Sequence, residues 1–138
     1  MNMFETGVRY EDSVSEYLTE HKIQHESQVT IGKKRSGGKH RVDIVVGNVL
    51  VSLKHQEVNG TAEEKIPYEF LKLQDAVEDY GYDRAIIVLS GPKKMNRGEQ
   101  GWTLKDYYLS DTFKDKFKEI CPKVTIMSHE EFINYVIQ

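Results

Sequence analysis

Asp43 and Lys54 stand apart from the residues around them. They interrupt an otherwise apolar run, RVDIVVGNVLVSLKHQ, that extends from Arg41 to Gln56. A carboxylate or an ammonium in a segment fit for burial is costly unless it is paired or bound to a metal ion. The run reads as two strands, because Val, Ile and Leu fill both halves and Gly47-Asn48 can turn the chain between them. An acid on one strand and a lysine on its neighbour can point at one spot. In the first strand the alternation puts Asp43 with Val45, and Val42, Ile44 and Val46 on the other face. In the second, Leu50, Ser52 and Lys54 share a face, followed by Gln56 if the extension continues. Ser52, Lys54 and Gln56 then form one polar edge. The plainer reading of Lys54 is a strand-end lysine with its stem covered and its amine in water.

Further acids can reach this edge from helices. Residues from about Glu5 to Ile23 read as an amphipathic helix, with Val8, Tyr10, Val14, Tyr17 and Leu18 at three-to-four spacing. Glu11 falls on or beside that stripe. It is either a first-turn acid that favours the helix N-terminus or an acid that faces the site. A second helix is expected from Thr61, its cap, to Tyr80, with Glu64 at capping-box spacing and Pro67 near the start. Ala62, Ile66, Phe70, Leu73, Val77 and Tyr80 form its inward stripe. Glu69 falls within the spread of that stripe, Glu63 on its opposite shoulder, and Glu64 points away.

Two basic, glycine-containing segments flank these elements. GKKRSGGKHR follows a short strand at Gln28 to Ile31 and carries Lys33, Lys34, Arg35, Lys39 and Arg41 with no acid among them. It is either a solvated loop or a hairpin tip whose cations neutralise nucleic-acid phosphates without reading sequence. KKMNRGEQGWT carries Lys93, Lys94 and Arg97, and Trp102 at its end is a core anchor or a stacking platform. The remaining elements are a buried strand from Arg84 to Leu89, a helix from Leu104 to Ile120, a strand from Lys123 to Met127, and a terminal helix capped by Ser128. Helix, three strands, helix, strand, helix, strand, helix is the order of a mixed sheet with helices on its faces.

The chain has 138 residues, which makes one domain the expectation. Hydrophobic residues at 38% and charged residues at 30% are ordinary for a soluble protein. The formal net charge of −3 gives nucleic-acid binding no support, so its case rests on the clustering of cations. The single cysteine, Cys121, excludes an internal disulfide and a multi-cysteine zinc site and suits a reducing compartment. No run is apolar enough to span a bilayer, and MNMFETG lacks a signal-peptide pattern. A cytoplasmic location and no membrane partner are therefore expected.

The motif VDIVV…SLKHQ, with Glu11 before it and a helix and strand after it, resembles the core of the PD-(D/E)XK nuclease superfamily. The resemblance covers about residues 5–90. It implies the restriction-endonuclease-like fold: one α/β domain over residues 1–138, a mixed central sheet flanked by helices. It further implies that Asp43 and the Leu53 carbonyl bind Mg²⁺, with Mn²⁺ as substitute, and that Lys54 orients water or neutralises the phosphate. Glu11 would correspond to the first-helix glutamate of junction resolvases, and Gln56 to glutamines that follow the lysine in some branches. The partner would be DNA. Cutting both strands would require a homodimer or a dimer of dimers, in a bacterial, archaeal or phage-infected cell.

Ser52 departs from the family pattern, which has an acid two residues before the lysine. A hydroxyl is a poor Mg²⁺ ligand beside a carboxylate. Three explanations are open. The acid comes from the following helix, as in some restriction enzymes, with Glu69 the best match and Glu63 second. Or Glu11 suffices with Asp43. Or the chain is an inactive relative that binds DNA without cutting it. The plainest alternative is a small α/β domain in which Asp43 and Lys54 merely form an ion pair.

Overall fold

The structure, a computed structural model, describes residues 7–55, 62–90 and 107–137, with side chains from 10–55, 65–90 and 107–137. The elements are α1 (Gly7–Glu20), β1 (Glu26–Lys33), β2 (Lys39–Val46), β3 (Val49–His55), α2 (Ala62–Tyr80), β4 (Arg84–Ser90), α3 (Asp111–Ile120), β5 (Val124–Ser128) and α4 (His129–Val136). The five strands form one sheet in sequence order. β1 to β3 are an antiparallel meander, and β4 and β5 add in parallel. Parallel neighbours need crossovers, and the chain supplies α2 between β3 and β4 and α3 between β4 and β5. The result is one mixed-sheet α/β domain, the layout of a restriction-endonuclease-like fold.

Both faces of the sheet are covered, which explains the unbroken apolar run of β4. Ala85, Ile87 and Leu89 pack under α2 and α3 with Ile66, Phe70, Leu73 and Phe113. Ile86 and Val88 face the opposite way, against Tyr10, Val14 and Leu18 of α1 and Phe132 of α4. Each Val, Leu, Ile or Phe among them contributes about 1.5–3 kcal/mol on full burial. A hydrogen bond of 2.8 Å between the Tyr10 hydroxyl and His129 Nδ1 ties α1 to α4. Ser128 and Glu131 form the capping box that starts α4, so the expected serine cap is present.

Three sequence expectations are corrected here. Val42 does not share the face of Ile44; it packs with Val45 on the α2 side. The alternation is lost where β2 parts from β3, since their pairing ends at Ile44 and Val51. The helix expected from Leu104 to Ile120 is interrupted at Leu109-Ser110, where the Ser110 hydroxyl accepts from Phe113 N–H and restarts the chain as α3. Tyr80 is not core: it is 40% exposed. Its hydroxyl instead donates to the Lys33 carbonyl and accepts from the Lys33 N–H, both at 2.7 Å. Gly32 permits that approach, because a Cβ there would run into the Tyr80 ring.

Candidate active site

Asp43 occupies the point where β2 leaves β3. Beyond the Ile44–Val51 pair the ladder stops, and the Leu53 N–H donates to Asp43 Oδ2 at 2.7 Å. The carboxylate thus replaces a backbone acceptor and is fixed beside β3. On β3, Ser52 and Lys54 follow Leu50 on the face covered by α2. Asp43 and Lys54 therefore look toward the same side of the sheet.

α2 brings an acid to them. Glu69 is only 7% exposed. Its Oε1 lies 3.5 Å from Lys54 Nζ and 3.1 Å from Lys72 Nζ, and the buried Ser52 hydroxyl donates to it. A buried carboxylate needs such company. Burial alone would raise its pKa, but Lys54, Lys72 and the Ser52 hydroxyl outweigh burial and hold Glu69 below the usual glutamate range. A carboxylate of α2 thus lies beside Ser52, the position at which β3 itself carries none.

Asp43 has the opposite balance. Burial pushes its pKa up to about 6, the Leu53 N–H and Lys54 oppose, and the charges of Glu11 and Glu69 reinforce the rise. The charges of Glu11 and Glu69 both bear on Asp43, an arrangement that a bound cation would relieve. Glu11 takes part through its charge while its Oε2 accepts from Gln28 Nε2. Asp43, Glu69 and Glu11 offer hard oxygens, which suit Mg²⁺ or Mn²⁺. Among the described residues, no three histidine, cysteine or carboxylate side chains are gathered tightly enough to hold a metal by themselves. Asp43 and Glu69 are the carboxylates that could take part in holding a metal near the point where β2 parts from β3.

The remaining expected residues fall into three groups. Lys33, Lys34, Arg35, Lys39 and Arg41 lie on the β1–β2 hairpin, with Lys39 and Arg41 exposed. Arg35 engages Asp75, Glu78 and Asp79 of α2 at 3.0, 3.1 and 2.8 Å. Gln56, Lys93, Lys94, Arg97 and Trp102, and the side chain of Glu63, lie outside the described residues. Sequence reasoning missed Lys72, Gln28 and His40. Lys72 had a signal, since it stands three residues after Glu69 on one helix. Gln28 and His40 had none, because their partners are distant in the chain.

A family model of a PD-(D/E)XK nuclease superfamily domain matches residues 3–137. Comparison with curated proteins finds no significant match. Among solved structures, one titled "Crystal Structure of Protein of Unknown Function AF1548" is similar, with a TM-score of 0.48 and 12% identity, over 86% of this chain and 56% of that one. The chain thus spans little more than half the length of that structure. The family match takes in the helix, meander and crossover that carry Glu11, Asp43, Ser52, Lys54 and Glu69, and on it the chain belongs to the PD-(D/E)XK nuclease superfamily.

Proposed function

We propose that this chain is a metal-dependent endonuclease that hydrolyses phosphodiester bonds of double-stranded or branched DNA. The observation that carries this reading is Glu69. It contacts Ser52 and Lys54 and so provides an acid where the family pattern requires one and the strand has none. Asp43, Glu69 and the Leu53 carbonyl would hold Mg²⁺ or Mn²⁺, with Glu11 adding negative charge. The bound ion supplies Lewis-acid charge that activates water and offsets the charge developing on phosphate. Lys54 would place the attacking water or pair with the phosphate. Ser52 keeps the Glu69 carboxylate turned toward Lys54. Two copies of the chain would be needed to cut both strands, which favours a two-fold dimer.

The test compares supercoiled, linear and four-way-junction DNA in Mg²⁺ and in chelator. Cleavage is expected only with metal, and Asp43→Ala and Lys54→Ala should abolish it with the fold intact. Undiminished cutting by both variants would contradict the assignment. A second reading is a DNA-binding domain that has lost its chemistry. It is favoured by the lack of a closed three-ligand cluster among the described residues. Calorimetry with Mn²⁺ separates the two, because only the nuclease reading requires binding that Asp43→Ala removes.

A further inference from the structure

The β1–β2 hairpin tip and α2 enclose a small cleft next to the candidate metal ligands. Its cavity volume is about 60 Å³, and Lys34, Ser36, His40, Tyr68 and Lys72 are among the residues that line it. At roughly 10–15 Å³ per water-sized group, this is room for about five heavy atoms, the number in one phosphate group. Asp75 and Asp79 also line the cleft and share the single charge of Arg35 with Glu78. Lys33, Lys34 and Lys72 are the other cations that line the space, and Lys72 also pairs with Glu69.

The walls are fixed in advance. Arg35 clips the hairpin to three acids of α2. The Tyr80 hydroxyl bonds both polar groups of the Lys33 backbone. Ser36 Oγ and Tyr68 OH lie 3.1 Å apart, and Lys72 sits over the Tyr68 ring at 4.9 Å. Gly37 and Gly38 take left-handed φ values of 99° and 81° and let the tip fold back toward α2. Donors held in this way need little ordering when a ligand arrives.

We infer that this cleft is a second phosphate site, which grips one backbone phosphate of the DNA strand beside the linkage to be cut. Lys72 joins the two sites: its ammonium is 3.1 Å from Glu69 Oε1 and it also lines the cleft. Arg35 is the latch that positions the hairpin, and Lys34 and Lys72 are the ligands' counter-charges. His40 is 4% exposed, and its pKa is lowered chiefly by burial, then by Lys72, against Glu69; its ring can contribute one N–H. The identity of the strand rests on the nuclease reading; the phosphate site does not.

The experiment uses the whole chain without divalent metal. Inorganic phosphate is titrated into ¹⁵N-labelled protein, and the affinity of a short blunt duplex with hydroxyl ends is measured alongside. Phosphate should shift the amides of Lys34, Ser36 and His40. Lys34→Glu should weaken duplex binding by at least tenfold, and Lys34→Ala should lower the salt slope by about one. Asp43→Asn should leave the phosphate shifts in place, so loss of cleavage does not bear on the cleft. No shift at these residues, or unchanged duplex affinity in both Lys34 variants with a native circular-dichroism spectrum, would overturn the inference.

Discussion

Glu69 on α2 and Ser52 on β3 are joined by a hydrogen bond from the serine hydroxyl to the buried carboxylate. The bond links two elements that are separated in the chain but adjacent across the sheet face. It places an acid beside the one position where the strand departs from the superfamily pattern. In the proposed site, Ser52 would be a holder for the acid.

Ser52→Ala tests that role. The variant removes one donor from Glu69, while Lys54 and Lys72 remain. A hydrogen bond to a charged group is worth about 1.5–3 kcal/mol, so catalytic turnover should fall by roughly 10- to 100-fold. Mn²⁺ affinity should fall with it. Equal turnover in the variant and the parent would show that the hydroxyl does not position Glu69.

Asp43 sets the pH response. Its pKa in the folded chain is raised from 3.8 to about 6. Between these values the folded state keeps a proton that the unfolded chain has lost, so stability declines as pH rises through this window and levels off above it. The cost at neutral pH is at most about 3 kcal/mol. Asp43→Asn should therefore stabilise the metal-free protein at pH 8 and leave it nearly unchanged at pH 3. Denaturant unfolding at the two pH values reads this directly. Mn²⁺ binding near pH 6 should also release protons, because the ligand must be deprotonated; calorimetry in buffers of different ionisation enthalpy measures the number.

Arg35 predicts a local effect. Its guanidinium is half exposed, at 51%, and exposed ion pairs add little to global stability. Arg35→Met should leave the melting curve almost unmoved. Amide exchange at residues 33–38 should nevertheless accelerate, because the hairpin loses its clip, and high salt should reproduce part of that acceleration. Protection equal to the parent's at these amides would show that Tyr80 alone holds the tip.

The legible part of the site was the part with short-range regularity. Two-residue alternation exposed Asp43, Ser52 and Lys54, and helical spacing placed Glu69 inward. Val42 was misplaced because alternation assumes a regular ladder, and the ladder between β2 and β3 ends at Ile44. Leu109-Ser110 contains neither glycine nor proline, so the aromatic periodicity read straight through a break that the Ser110 cap enforces. The partners of Arg35 lie 40 or more residues away. A cation in a basic loop looks free until the fold sets α2 against it.

The most direct measurement is single-turnover cleavage of supercoiled plasmid by the parent and by Glu69→Gln, in Mg²⁺ and in chelator. Gln keeps the shape of the side chain and removes the charge that pairs with Lys54 and would face the metal. Metal-dependent nicking is expected of the parent, with a loss of at least about 100-fold in the variant, which corresponds to roughly 2.7 kcal/mol. Cleavage by Glu69→Gln at the parental rate would contradict a helix-borne acid in this active site.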